Sequence, residues 1–361
     1  MIRATLATLL LAGCGPVCKE GRICAIMGTG ELGFNGEDLD ALETRLASPT
    51  SVLEDPDGHV VVVDYSNMRV RRLTEDGTIE TLAGSGIHAY SEIGLDALDT
   101  PLENPVDAAW GPDGLLYILP QHEGRVIRVN DSGVIERCAG TGALGDIGDG
   151  GDALEAEMGY GGGLAFAEDG ALYVSDLSYN RVRRVDPAGT IDTVLGTGEG
   201  GMGDPGQGPE VAVQFPERLV VDDARGRLLV ADTGNHRVLA MDLETLAVEV
   251  LAGTGEPGWY GDGGPATEAR LHNPTGVAVT PDGVVLIADL ENDRLRAVSP
   301  SGDIETVAGQ PRGGDLSWSD PPEDFNMLKP AGLGWTSAGD LLIAERGGQR
   351  VLLWTGARDA L

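Results

Sequence analysis

Aromatic side chains make up only 4% of this 361-residue chain, and it has just five histidines. His59, His88, His122, His236 and His272 are scattered, and no two stand at the spacing of a metal-binding pair. No Cys-x-x-Cys motif accompanies them, so the pattern excludes a structural zinc site. There is no Gly-x-Ser-x-Gly elbow, which removes the commonest serine-hydrolase arrangement. Bases are outnumbered, with 25 Lys and Arg against 58 Asp and Glu and a net charge of −33. Such a surface repels phosphate backbones, so nucleic acid is not an expected partner. Past the N-terminus no apolar run approaches the ~20 residues that span a bilayer.

Glycine and proline, by contrast, are abundant, at 55 and 20. They signal many turns, and the apolar residues fall in short β-branched runs such as Val60-Val61-Val62-Val63. An all-β domain follows. A glycine recurs at 28, 84, 140, 196, 253 and 309, a period of about 56 residues. An acid recurs at Asp64, Asp176, Asp232 and Asp289, with Glu345 in the sixth copy and Pro120 in the second. Five residues after each stands an arginine: Arg69, Arg125, Arg181, Arg237, Arg294 and Arg350. A proline opens each copy at 49, 105, 216, 274 and 330, with Gly161 in the third.

One copy reads as four short strands: an inner strand after Pro274, a second ending at Asp289, a third from Arg294 and a fourth to Ala308. Tight turns, Pro281-Asp282-Gly283 and Pro300-Ser301-Gly302, separate the first two and the last two. Such a unit cannot cover both its faces alone, so copies must pack around a ring. Asp232-Thr233-Gly234-Asn235-His236-Arg237-Val238 and Gly261-Asp262-Gly263-Gly264-Pro265-Ala266-Thr267 resemble bacterial NHL-repeat proteins over residues 22–354. The resemblance implies a six-bladed β-propeller of four-stranded antiparallel blades, most often a binding platform and in a minority of relatives a metal-dependent lyase or lactonase. The strand before Gly28 has no strands ahead of it, and the last copy lacks a fourth. The N-terminal strand is therefore expected to complete the last blade, close the ring and remove two exposed sheet edges, in a monomer.

Arg3 and the apolar stretch Ala4 to Ala12 read as a signal segment. Leu11-Ala12-Gly13-Cys14 resembles the lipobox of bacterial lipoproteins, which implies cleavage after residue 13 and lipid on Cys14. Gly15 in place of Asp leans toward the outer membrane or cell surface rather than inner-membrane retention. Residues 14–21 are then a linker and 355–361 a tail. In an oxidising compartment Cys18 and Cys24 are the local disulfide candidates, leaving Cys138 as a thiol inside a strand.

A residue needed for catalysis is needed once, so the repeated Asp64, Asp176, Asp232 and Asp289, with Arg69, Arg181, Arg237 and Arg294, are expected to be structural pairs that fix loops. Gly-Thr-Gly runs such as 253–255 recur per blade and precede no helix, so they are loop glycines rather than a phosphate cradle. Pro120 leaves Arg125 without its repeat partner, with His122 in the same loop. Long loops gather on one face, and the two positions after each repeat proline should line the channel mouth there. Among these only Asp107 and Glu217 are acidic, and Arg218 adjoins; with His122 they are the candidate ligand-binding residues. Asp146, Asp149, Asp152 and Glu155 look calcium-like, but their spacing of three departs from an EF-hand loop. Ca²⁺ is the one ion that the residues leave open, and no cofactor is assigned. The six inter-blade loops hold 23 acids and one base, and they are expected to share the channel-mouth face. The leading function is a cell-envelope binding or scaffold propeller for a protein or carbohydrate. The alternative is a metal-dependent lyase or lactonase at the channel mouth.

Overall fold

A computed structural model describes residues 18–309 and 318–361. The signal segment, Cys14, and Arg312 and Asp315 of the last inter-blade loop lie outside the described residues. Six antiparallel sheets form a ring. The first comprises Pro49–Glu54, Val60–Asp64, Arg69–Leu73 and Thr78–Ala83, from the channel outward. The sixth holds Pro330–Trp335, Leu341–Glu345 and Arg350–Trp354, and its fourth strand is Ile23–Met27 from the other end of the chain, with Ile23 opposite Trp354 and Ala25 opposite Leu352. All five residues of that strand are buried. The ring closes as the sequence predicts. A disulfide joins Cys18, ahead of this strand, to Cys24 within it. Cys138 is free and half-buried in Ile135–Ala139, and burial pushes its thiol up to about 12, so it is unreactive near neutral pH. The tail 355–361 is built into the fold: Thr355 Oγ1 donates to Lys19 O at 2.7 Å, and Ala357 is fully buried.

Alternate residues of the middle strands point into opposite inter-blade layers. Val60 and Val62 enter one apolar cluster, and Val61 and Val63 enter the next. The inner strands approach so closely that glycine is required at some contacts. A Cβ on Gly276 would lie 2.1 Å from Ala331 O, and one on Gly332 would lie 2.5 Å from Thr50 O.

Each inter-blade loop runs down the outer edge of the blade that follows it. Leu39–Asp40 pairs with Ile79 and Thr78, next to the third-to-fourth turn, and adds a fifth strand. Gly151–Asp152, Gly264–Pro265 and Ser319–Asp320 do the same, and single bridges at Asp96–Val134 and Gln207–Ala247 occupy the place in the other two blades. The four-stranded blades expected thus carry a fifth pairing. The loop acids consequently spread around the circumference from one face toward the other instead of gathering at the mouth. Several are also paired, such as Asp149 with Arg183 and Asp262 with Arg296, both at 2.6 Å. The loops cap otherwise open outer edges, which accounts for their course.

The repeated acids are structural. Asp232 accepts from Gln214 N at 2.7 Å, from Asn235 Nδ2, and from Arg237 Nε at 2.7 Å. Glu345 does likewise with Leu328 N and Arg350. Asp176 accepts from Gly159 N and Tyr179 N, with Arg181 Nε at 3.7 Å. Asp64 and Asp289 depart from the expected partner, because the arginine seven residues on, Arg71 or Arg296, comes within 3.5 Å and 3.4 Å. There the arginine five residues on, Arg69 or Arg294, instead stacks on an exposed ring, Phe34 or Trp259. In blade two Arg125 is not left alone. Fully buried Glu123, two residues earlier, takes its guanidinium and also accepts from Ser91 N.

Burial raises the pKa of Asp64 to about 6 against the pull of Asn67, Ala47 N and Arg71. It raises those of Asp176, Asp232, Asp289 and Glu345 as well. The folded state then holds protons that the unfolded chain has released, so each of these groups makes stability fall as pH rises, and for Asp64 the fall runs from about 4 to 6. Asp64 alone should account for about 3 kcal/mol of that fall. Thermal melts of wild type and Asp64→Asn should therefore differ in slope over this window, with wild type losing more. Parallel curves would show that Asp64 is already ionised below pH 4.

Candidate functional site

The inner strands begin and the second-to-third loops turn on the same face, so both surround one end of the channel. The first residue after each repeat proline lines that mouth, as expected: Thr50, Val106, Gly162, Glu217, Thr275 and Ala331. A second contribution, not expected from the repeat pattern, comes from residues just after the repeated acid. Tyr65 follows Asp64, Gln121 follows Pro120, Leu177 follows Asp176 and Arg346 follows Glu345, and all four reach the mouth. Their signal was available, since this position varies while its neighbour repeats.

One layer deeper the channel is plugged. Arg218 reaches across from blade four and donates through Nη2 to Thr50 O at 2.7 Å and Val106 O at 2.6 Å. Its Nη1 is ion-paired with Asp107, and both side chains are less than a tenth exposed. Asp107 also accepts from Ser51 Oγ at 2.7 Å and Leu164 N at 3.0 Å. The three candidates Asp107, Glu217 and Arg218 do meet in the channel, but two of them satisfy each other. His122 stands apart. Its Nδ1 and the Nε2 of His88 both contact Glu103, at 2.8 Å and 2.6 Å, and its ring lies edge-on to Tyr160.

Above the plug a pocket of about 60 Å³ remains, room for a few water molecules or the head of a ligand. Glu217 enters it from blade four. Burial raises its carboxyl pKa, and Arg218 and Arg346 pull the other way. Arg346 enters from blade six, its guanidinium 6.0 Å from the centre of the Tyr65 ring. Tyr65 Oη donates to Gln121 Oε1 at 2.5 Å. Neither the Glu217 carboxylate nor the Arg346 guanidinium has a hydrogen-bond partner among the described residues, although both line one pocket. The calcium-like loop does not converge. Asp149 is held by Arg183, and Asp152 caps Leu154 N at 2.9 Å. Among the described residues no three His, Cys, Asp or Glu side chains group as metal ligands.

Closed ring and repeat period together define a six-bladed β-propeller, whose repeats resemble the NHL type. In comparison with known proteins, the teneurin NHL domain matches residues 151–317. Teneurin-m of Drosophila melanogaster is 27% identical over 75% of this chain, which spans only 10% of that protein's length. Among solved structures, an auxiliary nutrient binding protein of Bacteroides thetaiotaomicron superposes with a TM-score of 0.68, 15% identity, and coverage of 92% of this chain and 75% of its own. A gluconolactonase of Xanthomonas campestris reaches 0.56 with 14% identity over 86% of each chain. At these identities the likeness is one of fold.

Proposed function

We propose that this is a non-enzymatic binding propeller of the cell envelope that seats a small polar ligand, or the polar end of a larger one, at the channel mouth on the long-loop face. The observation that carries the reading is the unpaired Glu217 and Arg346 in one recessed pocket. Glu217, half-buried and without a hydrogen bond, is a charge partly withdrawn from water, which a bound ligand would satisfy, and the exposed Arg346 beside it offers N–H donors. A solved structure of similar fold described as an auxiliary nutrient binding protein supports the reading. A lyase or lactonase chemistry that draws on Asp107 would first have to displace Arg218 from it.

The test is equilibrium dialysis of the full chain against envelope small molecules, read by mass spectrometry. Wild type should retain a compound that the folded double variant Glu217→Gln, Arg346→Gln does not. Equal retention by both would place binding elsewhere, and no retention by either would refute the reading.

The address is part of the proposal. Several acyl chains on Cys14 would anchor the propeller stably, since each buried methylene contributes ~0.8 kcal/mol. Cys14→Ser should therefore move the protein from the membrane to the soluble fraction. Unchanged fractionation would remove the anchor from the account.

A further inference from the structure

Among the described residues every large apolar side chain that stands exposed lies in a segment between blades, and none lies in the tight turns of the opposite face. Four of them gather over blades two and three, beside the mouth: Ile87, Tyr90, Leu144 and Tyr160, each between 40% and 58% exposed. Two chains of contacts join them. His88, next to Ile87, contacts Glu103 at 2.6 Å, and Glu103 contacts His122, whose ring lies edge-on to Tyr160. Ser91, next to Tyr90, donates through N and Oγ to Glu123 at 2.7 Å and 2.8 Å, and a Cβ on the neighbouring Gly124 would lie 3.3 Å from Leu144 Cδ2. The loop is therefore pinned from beneath by two buried carboxylates, Glu103 and Glu123, and its apolar side chains are held out to solvent. Both pins belong to the copy that lacks the repeat acid, and in the other five copies neither position is acidic. Charge sets the patch apart as well. Residues 85–104 and 143–160 hold nine acids and no lysine or arginine. Two of those acids, Glu92 and Asp146, are exposed close to Tyr90 and Leu144 in the chain.

We infer that this patch docks a segment of another protein in which apolar and basic side chains stand together, as on one side of a basic amphipathic helix. Apolar groups held rigidly in water mark a surface that a partner covers. Acids with no base among them select a partner of positive charge. An anionic bilayer has the wrong charge for this surface, and so does a second copy of a chain whose net charge is −33. A neutral glycan stacks on rings, and Ile87 and Leu144 offer none. The patch adjoins the mouth, since Gln121 lines the mouth and His122 belongs to the patch, but it does not depend on the mouth ligand.

Calorimetry on the full chain tests this with three synthetic peptides of equal length: leucine and lysine at helical spacing, leucine and glutamate in the same pattern, and serine and lysine in the same pattern. The leucine–lysine peptide should bind one to one, and the other two at least about 10-fold more weakly. Ile87→Ser, Tyr90→Ser should weaken the leucine–lysine peptide roughly 10- to 100-fold, as the loss of two apolar contacts implies, and leave the serine–lysine peptide unchanged. Both side chains are exposed, so this variant should melt as wild type does. Trp259→Ser, Tyr260→Ser removes an exposed, stacked ring pair on blade five and should leave binding unchanged, as should Glu217→Gln, Arg346→Gln at the mouth. Equal weakening by either of these would move the peptide to another part of the face and overturn the assignment. Serine–lysine binding as tight as leucine–lysine binding would reduce the effect to charge and overturn it too. Tighter leucine–glutamate binding, flotation of the Cys14→Ser chain with phosphatidylglycerol vesicles, or a dimer that Ile87→Ser, Tyr90→Ser abolishes would put a different occupant on the patch and refute the basic partner. No binding of the leucine–lysine peptide would refute the site. None of these results touches the dialysis test of the mouth.

Discussion

Arg218→Met should lower the unfolding midpoint by about 4–7 °C. The substitution removes one partner of an ion pair whose two side chains are each less than a tenth exposed, and it leaves the Asp107 carboxylate buried with only Ser51, Leu164 N and its own chain for company. Breaking such a pair from one side costs about 3–5 kcal/mol. It also takes Arg218 away from the Thr50 and Val106 carbonyls, which it ties to blade four across the channel, leaving Val106 O with the Thr50 hydroxyl alone. For a chain of this size the unfolding entropy converts that cost into the stated shift. The double variant Asp107→Asn, Arg218→Met should recover more than half of the loss, because no unpaired charge remains. A midpoint within a degree of wild type for the single variant, by calorimetry, would show that the plug contributes nothing.

Deletion of the N-terminal strand should have the larger effect. Without Ile23–Met27 the Arg350–Trp354 strand becomes an unpaired edge, and the cluster holding Ile343, Leu352 and Trp354 opens. Ile23 and Met27 are fully buried, and Cys24, Ala25 and Ile26 nearly so. Burial of these side chains stabilises by about 6–10 kcal/mol, comparable with the 5–15 kcal/mol that holds a domain together. A chain starting at residue 30 should therefore show no cooperative melt, and a peptide of residues 18–30 added in trans should restore one. Removing 357–361 should cost less. It takes away buried Ala357 and the Leu361 that packs against the same cluster, but it deletes no strand. Equal melting of the two truncations would mean that ring closure does not depend on this strand.

Blade number, strand order and closure were all legible in the residues, because a period of about 56 with an acid, an arginine and a proline at constant offsets admits only one ring. The mouth was half legible. Positions after the repeat proline line it because each inner strand starts there, which follows from connectivity alone. The choice between Arg69 and Arg71 as partner of Asp64 was not, since both offsets carry an arginine and only the twist of the third strand brings Arg71 inside. The same holds for Glu123 standing in for the acid that Pro120 lacks.

What the residues determined by themselves was therefore local and periodic: strand, turn, blade and the number of copies. The tertiary structure decided which charges meet. Asp107 and Arg218 are 111 positions apart and lie on different blades, yet they neutralise each other across the axis and leave Glu217 open. The acidic loops, adjacent to the mouth in sequence, leave it for the outer edge, because an unpaired strand edge there needs hydrogen bonds. Charge pairing depends on distances of a few ångströms through the ring, and a repeat pattern along the chain does not carry them.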